Sequence, residues 1–199
     1  MIAIIDYGAG NLRSVKKAFD FLDVDSHFVT RPDEILRSKK LVLPGVGAFG
    51  AAMKKLEERN LINPIREWID SNKPFLGICL GLQLLCEKSS ESPGVSGLSS
   101  ISGDCRRFQS GKVPQIGWNQ VSIKKKSPLF NGIKNSQYFY FLHGYYIMPS
   151  EPEVIIGETD YNITYPSVIS VGRVYAVQFH PEKSGDVGLT LLKNWVELC

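Results

Sequence analysis

Cys79 lies between two glycines, in the segment G-I-C-L-G at 77–81, where an apolar strand-like run meets a leucine-rich one. The spacing G-x-C-x-G is that of a nucleophile elbow, a sharp strand-to-helix turn that presents a reactive side chain. Glycines have no Cβ atom, so strand and helix can approach closely at the bend. A helix N-terminus also favours the thiolate form. The motif predicts a nucleophilic Cys79, with a buried and inert cysteine as the alternative.

A histidine and a carboxylate follow one another closely in V-Q-F-H-P-E at 177–182. Pro181 disfavours helical geometry for the residue before it, so we expect His180 and Glu182 to share one face of an extended segment. The carboxylate can then bind one imidazole nitrogen and leave the other to accept a proton. If the strand at 174–179 lies near the strand at 75–78, a Cys-His-Glu triad results. A surface turn is the alternative.

A glycine-rich loop, L-P-G-V-G-A-F-G at 43–50, places Gly45, Gly47 and Gly50 in the spacing G-x-G-x-x-G. This spacing is typical of dinucleotide-binding loops, which also need an acidic residue at the end of the next strand. That strand ends at Cys79, so the carboxylate is missing. We interpret the loop as a source of backbone N–H groups for an oxyanion, beside the N–H of Leu80. A nucleotide-binding module remains the alternative.

Composition limits the class of protein. The 199 residues are 43% hydrophobic and 22% charged, with a net charge of +3, which predicts one globular domain over 1–199. The basic residues are scattered and no apolar run is long enough for a spanning helix, so we expect neither nucleic-acid nor membrane binding. The first residues lack the pattern of a secretory signal, which predicts a cytoplasmic protein.

The remaining cysteines, Cys86, Cys105 and Cys199, form no C-x-x-C pair and no ligand-like group with the three histidines. We therefore expect no disulfide and no metal site. His143 lies among alternating aromatic residues and is expected to be a packed, hydrogen-bonded histidine rather than a second base.

Strand-like and helix-like segments alternate in the first half of the chain. Strands are predicted at 2–8, 27–30, 40–45 and 75–78, and helices at 11–22, 32–38, 48–72 with a break near Pro64, and 80–88. This rhythm predicts a parallel sheet covered by helices.

The second half is dominated by strands. They are predicted at 121–125, 138–146, 153–158, 166–173 and 174–180, with a hairpin at Gly172-Arg173, a closing helix at 186–198 and a surface loop at 89–103. These strands predict antiparallel additions to the sheet.

Taken in order, six segments resemble the triad-type (class I) glutamine amidotransferases, and among them the glutaminase subunits of imidazole glycerol phosphate synthases. The segments are IAIIDYGAGNLRSV, LPGVGAFG, GICLGLQLL, VPQIGWNQV, YFYFLHGYY and VQFHPEKSG. The resemblance covers nearly the whole chain. It implies a three-layer, flavodoxin-like α/β fold whose central, mostly parallel mixed sheet has antiparallel additions in the C-terminal half.

The resemblance also implies roles for individual residues. Cys79 would attack the side-chain amide of glutamine, His180 would act as base and then acid, and Glu182 would orient His180; no cofactor is implied. Substrate-binding positions are Gly47, Gln83, Gly144 and Tyr145, and the backbone oxyanion donors are Val46, Gly47 and Leu80. Positions expected at a partner interface are Asn11, Trp118, Tyr140 and Lys183.

The implied partner is a (β/α)₈-barrel cyclase subunit, with which the chain would form a heterodimer. In histidine biosynthesis that subunit uses ammonia to convert PRFAR into imidazole glycerol phosphate and AICAR. Two positions depart from the expected pattern, since Gly144 replaces a hydroxyl residue and Gln115 a histidine. A paralogue that supplies ammonia for surface-sugar amidination is therefore an alternative, as is a free-standing cysteine hydrolase such as a peptidase.

Overall fold

The computed structural model describes residues 1–199. The strands are β1 Ile2–Ile5, β2 Ser26–Val29, β3 Lys40–Gly45, β4 Phe75–Cys79, β5 Cys86–Ser89, β6 Ile101–Arg107, β7 Gln115–Ile123, β8 Gln137–His143, β9 Tyr145–Pro149, β10 Ile155–Asp160, β11 Thr164–Val171 and β12 Val174–Val177. The helices are α1 Leu12–Phe21, α2 Pro32–Leu36, α3 Phe49–Glu58, α4 Ile62–Asp70, α5 Leu80–Gln83 and α6 Gly185–Leu198. None of these helices is long and apolar enough to cross a lipid bilayer.

Nine strands form one mixed sheet in the order β2-β1-β3-β4-β12-β11-β10-β7-β8. The pairs from β2 to β12 are parallel, whereas those from β12 to β8 are antiparallel. The predicted α/β fold with antiparallel additions in the C-terminal half is therefore confirmed. The hairpin at Gly172-Arg173 is also present, because Val171 pairs with Val174.

The neighbours of β4 explain how distant segments meet. On one side β12 runs parallel to β4 and pairs Val177 with Ile78. On the other side β3 pairs Gly45 with Cys79. The carboxyl ends of all three strands therefore lie at one edge of the sheet, where parallel α/β sheets usually bind ligands.

Helices and loops cover both faces of the sheet. One hydrophobic cluster joins Ile5 of β1 to Phe49 of α3 and Trp68 of α4. The other joins Ile4 of β1 to Phe19 of α1 and Trp195 of α6. Successive residues of β1 thus enter opposite clusters, as expected for a strand buried on both sides.

Four predicted elements are wrong. The strand over 138–146 is two strands, because β8 ends at His143 in the large sheet and β9 begins at Tyr145 in the second sheet. The helix over 80–88 stops at Gln83, because Cys86–Ser89 pairs with β6 in a second sheet of order β5-β6-β9. The surface loop over 89–103 includes the start of β6. The break between α3 and α4 falls at Asn60, which has φ +56°, whereas Pro64 lies in the first turn of α4. Proline is tolerated there because the first turn needs no intrahelical N–H donor.

Candidate active site

Cys79 lies at a sharp bend between β4 and α5. Its backbone has φ +55° and ψ −108°, a conformation that non-glycine residues rarely adopt. A Cβ atom on Gly77 would lie 2.9 Å from the carbonyl oxygen of Gly81, and one on Gly81 would overlap the carbonyl oxygen of Leu43. Both glycines are therefore needed for the bend. Since α5 has only one turn, its macrodipole is smaller than that expected from a helix over 80–88.

His180 and Glu182 form a buried pair at the same edge of the sheet. Nδ1 of His180 donates a hydrogen bond to Oε1 of Glu182 over 2.9 Å, and both side chains are almost inaccessible. The expectation of one continuous extended segment is wrong, because Pro181–Lys183 forms a 3₁₀ turn. Pro181 starts this turn, which brings the carboxylate back to the imidazole.

Three hydrogen bonds fix the backbone around His180. Its N–H donates to the carbonyl of Tyr140 over 2.8 Å. The hydroxyl of Ser184 donates to the carbonyl of His180 over 2.6 Å and accepts the N–H of Tyr140 over 3.0 Å. The histidine is thus held between β8 and the start of α6.

The charge of the site is set by these contacts. Burial lowers the pKa of His180, but interactions with Cys79 and with Glu182 outweigh burial and raise that pKa to about 10. Nε2 of His180 has no hydrogen-bond partner. Cys79 nevertheless lies near enough to His180 to raise the pKa of the imidazole. A positively charged imidazole beside a sulfur nucleophile is an arrangement suited to nucleophilic catalysis.

Two further groups contact the sulfur atom. Nε2 of Gln178 lies 3.8 Å from Sγ of Cys79, and the sulfur lies 3.7 Å from the carbonyl oxygen of Leu142. The other end of the Gln178 amide accepts from Nε2 of Gln83 over 3.2 Å. Sequence reasoning missed Gln178, although its place two residues before His180 was a usable signal in an extended segment.

A cavity of about 360 Å³ opens at Cys79. It is lined by all the residues predicted for substrate binding or for the oxyanion: Val46, Gly47, Leu80, Gln83, Gly144 and Tyr145. Gln83 is held in place because its Nε2 donates to the carbonyl of Tyr145 over 2.9 Å. A larger groove of about 760 Å³ lies between α3, α4 and residues 92–97, and includes none of the catalytic candidates. We therefore take the cavity at Cys79 as the candidate active site.

Glu91 and Arg107 also line this cavity, and sequence reasoning missed both. Glu91 lies in the segment predicted to be a surface loop, and Arg107 ends β6, so no spacing linked either residue to Cys79. A carboxylate and a guanidinium on one cavity match the charged ammonium and carboxylate groups of an amino acid.

Three of the four residues predicted for a partner interface lie together. Trp118 is 55% exposed, and its ring centroid lies 6.1 Å from that of Tyr140 in an edge-to-face arrangement. Nζ of Lys183 lies 5.8 Å from the Tyr140 centroid. Asn11 precedes α1, where its side chain accepts a hydrogen bond from Ser14 over 2.9 Å. We call Trp118, Tyr140 and Lys183 the aromatic patch.

His143 has the packed environment that the sequence predicts. Its Nδ1 donates to the carbonyl of Tyr145 over 2.7 Å, and its Nε2 lies 3.1 Å from the hydroxyl of Tyr165. Burial lowers the pKa of His143 to about 4, with the charge of His180 adding to this effect against the Tyr145 hydrogen bond. His143 is therefore neutral at physiological pH.

The family model described as glutamine amidotransferase class-I matches residues 3–198. The chain belongs to this family. Imidazole glycerol phosphate synthase subunit HisH 1 of Methanococcus maripaludis is 49% identical over 202 residues, with all of both chains covered. Subunit HisH of Thermococcus kodakarensis is 50% identical over 203 residues, again over both full lengths. A crystal structure described as a glutamine amidotransferase has a TM-score of 0.77 at 18% identity, covering 98% of this chain and 100% of its own, and shows the shared fold.

In this class-I amidotransferase, the glycine-rich loop has a role other than dinucleotide binding. Gly45 packs against the elbow, since a Cβ atom there would lie 2.8 Å from Cβ of Leu80. Gly47 has φ +102° and lines the cavity. The loop is therefore part of the site around Cys79.

Proposed function

We propose that this chain is the glutaminase subunit of imidazole glycerol phosphate synthase and hydrolyses L-glutamine to L-glutamate and ammonia. The observation that carries the proposal is an elbow cysteine that lines a cavity of about 360 Å³ and raises the pKa of the buried His180, which is paired with Glu182. The two HisH relatives support the choice of this synthase. We propose that residues 1–199 form one amidotransferase domain.

The first half of the reaction forms a thioester. The proton of Cys79 is held by His180 as an imidazolium, and the sulfur attacks the side-chain amide carbon of glutamine. The carbonyl oxygen becomes an oxyanion, for which the N–H groups of Leu80 and of Val46 or Gly47 are the proposed donors. The imidazolium of His180 then gives its proton to the amide nitrogen, the C–N bond breaks, and ammonia leaves.

The second half regenerates the free sulfur of Cys79 beside the charged His180. His180, now neutral, accepts a proton from water as the water oxygen attacks the thioester carbon. Collapse of this second tetrahedral intermediate breaks the C–S bond and releases the side-chain carboxylic acid, which loses its proton to solvent to give glutamate, while the proton on His180 balances the thiolate. Glu182 keeps the imidazole in one orientation and favours its charged form through both halves.

Charge and shape select the substrate. Glu91 is the proposed contact for the ammonium group of glutamine, and Arg107 for its carboxylate. Gln83, Gly144 and Tyr145 complete the wall beside the thiol. Gly144 has no side chain, so its contact with substrate can involve only the backbone.

The product requires a partner. Free ammonia becomes ammonium in water near neutral pH and is then no longer nucleophilic, so it must reach its acceptor through a closed passage. The proposed partner is the cyclase subunit, a (β/α)₈ barrel that forms a heterodimer with this chain in the cytoplasm. The aromatic patch is the proposed docking surface, because aromatic side chains such as Trp118 and Tyr140 are enriched at interface centres.

The test is glutamine turnover by the chain alone, with the cyclase subunit, and with the cyclase subunit plus PRFAR. We expect weak turnover alone and stimulation on the order of 100-fold in the full mixture, because a completed oxyanion site contributes at least that much. Cys79→Ala should abolish the weak turnover of the chain alone and the stimulated turnover of the full mixture. Full turnover without a partner would contradict the control of glutaminase activity by the cyclase subunit. Stimulation by a different barrel synthase would favour the alternative that this chain is a paralogue supplying ammonia for surface-sugar amidination.

A further inference from the structure

Helix α3 begins beside the cavity and is capped by a distant segment of the chain. Its N-cap residue, Ala48, has no side chain that could accept a hydrogen bond. Instead, the N–H of Phe49 donates to Oε2 of Glu91 over 2.7 Å, and the N–H of Gly50 donates to Oγ of Ser92 over 3.0 Å. These bonds satisfy two of the four N–H groups that a helix start leaves free.

The glycine at position 50 makes this cap possible. A Cβ atom on Gly50 would lie 2.8 Å from Oγ of Ser92, closer than real contacts allow. The third glycine of the 45–50 motif is therefore explained by the approach of residues 91–92. The cap also has a fixed geometry, because the N–H of Glu91 donates to Oγ of Ser89 over 3.2 Å.

Glu91 differs from Ser92 in what else it contacts. Its side chain lines the cavity at Cys79, together with Val46 and Gly47 of the loop that leads into α3. Ser92 lies outside that cavity, in the larger groove. One carboxylate thus holds the first N–H of α3 and also forms part of the cavity wall.

The loop between β3 and α3 has little else around it. Val46, Gly47 and Ala48 are exposed, and a Cβ atom on Gly47 would meet nothing within 4 Å. Gly45 is fixed on one side by pairing with Cys79. On the other side, the Phe49–Glu91 hydrogen bond fixes the end of the loop.

We propose that Glu91 is a positioning residue, whose hydrogen bond to the N–H of Phe49 anchors the α3 end of loop 46–48 so that the backbone donors of the loop can reach the oxyanion in the complex with the partner. This inference deepens the proposed function and rests on it for the chemistry. The same carboxylate is offered to the ammonium group of the substrate. Since Oε2 of Glu91 accepts the Phe49 N–H, the second carboxylate oxygen is the one offered to the ammonium group, and the cap stays in place when glutamine binds.

The first test measures the loop directly in the full chain. Hydrogen–deuterium exchange of peptides covering residues 45–53 is compared among wild type, Glu91→Ala, Glu91→Gln and Ser92→Ala. We expect Glu91→Ala to speed exchange of the Phe49 amide by roughly tenfold, because this N–H loses its hydrogen-bond acceptor. Glu91→Gln should stay near wild type, since its amide oxygen can still accept the Phe49 N–H. Unchanged exchange in Glu91→Ala would overturn the inference.

The second test separates positioning from substrate contact, using glutamine turnover with the cyclase subunit and PRFAR. We expect Glu91→Ala to lower kcat by roughly tenfold or more, as a misplaced oxyanion donor does. Glu91→Gln should restore most of kcat and keep a raised KM, because it lacks the charge. Ser92→Ala should lower thermal stability while leaving kcat within about twofold.

Two outcomes of the second test would contradict the inference. If Glu91→Ala keeps the wild-type kcat and only raises KM, Glu91 contacts the substrate but does not position the loop. A Ser92→Ala enzyme that loses as much kcat as Glu91→Ala would make the effect a general loss of stability. If wild type hydrolyses no glutamine, the proposed function fails, and the exchange measurement still decides whether Glu91 holds the loop.

Discussion

Nδ1 of His180 lies 2.9 Å from Oε1 of Glu182, and both side chains are almost completely buried. Burial lowers the pKa of His180, but interactions with Cys79 and with the Glu182 carboxylate raise it to about 10. The imidazole of His180 is therefore positively charged over the physiological pH range.

We predict that Glu182→Gln shifts the alkaline limb of the pH profile of kcat/KM to lower pH. Removing the carboxylate lowers the folded-state pKa of His180, so the imidazolium that protonates the departing ammonia is lost earlier as pH rises. Turnover should also fall by roughly 10²-fold or more, since the imidazole loses its orienting partner. Glu197→Gln, on the exposed face of α6, is the matched control and should keep the wild-type profile. An alkaline limb that stays in place would contradict the assignment.

Gly81→Ala should destabilise the fold and abolish glutaminase activity. The new Cβ atom would overlap the carbonyl oxygen of Leu43, so the elbow must move away from β3. We expect the free energy of unfolding to fall by about 3 kcal/mol, as overpacking against backbone does. Gly144→Ala is the control for stability, because its Cβ atom would meet Val113 at an ordinary 3.4 Å. Urea unfolding measures both variants, and equal stability would refute the steric argument.

The protein should lose stability as the pH falls from about 6.5 to about 4 because of His143. Burial lowers the folded-state pKa of His143 to about 4, whereas the unfolded chain titrates near 6.5. Its contribution is therefore fully present above pH 6.5 and decreases as the unfolded state takes up the proton. The loss is on the order of 3 kcal/mol across this window. Unfolding free energies measured through the window should show the slope, and His143→Gln should flatten it.

Arg107→Gln should raise the KM for glutamine by roughly tenfold and change kcat little, because a charge-assisted contact contributes about 1.5–3 kcal/mol to binding. The neighbouring Arg106 is the matched control. It is exposed, and its Nε pairs with Asp104 over 3.2 Å away from the cavity, so Arg106→Gln should leave KM unchanged. Initial rates over a range of glutamine concentrations distinguish the two. Equal KM values for both variants would remove Arg107 from the substrate site.

Trp118→Ala should weaken binding to the cyclase subunit by about 30-fold, the size expected for an aromatic hot spot at an interface. The free energy of unfolding of the Trp118→Ala variant should change little, because the Trp118 side chain is 55% exposed. Phe21→Ala removes a similarly exposed aromatic side chain at the end of α1 and should bind the partner normally. Titration calorimetry compares the affinities. Unchanged binding by Trp118→Ala would place the interface elsewhere.

The elements that the sequence predicts best are those with strong local signals. The apolar run at 40–45 is a strand with the predicted bounds, and the glycine turn at 172–173 forms a hairpin. The helix over 80–88 fails because its leucines satisfy a helical period, but pairing between Cys86–Ser89 and β6 is a long-range interaction that no local window contains. Tertiary context outweighed propensity there.

The candidate site divides in the same way. Cys79, His180 and Glu182 lie in short motifs whose spacing suggests a role, although the route from His180 to Glu182 is a 3₁₀ turn rather than a strand. Glu91 and Arg107 have no such spacing. They reach the cavity through the second sheet and its connecting segment, and this arrangement depends on the packing of the whole chain.

The pairing of β12 with both β4 and β11 has a consequence for biosynthesis of the protein. Strand β12, which leads to His180, is made after the other eight strands of the large sheet, yet it lies between β4 and β11. A polypeptide that has not yet inserted β12 therefore carries the sulfur without its proton acceptor, and release of ammonia begins only after β12 is in place.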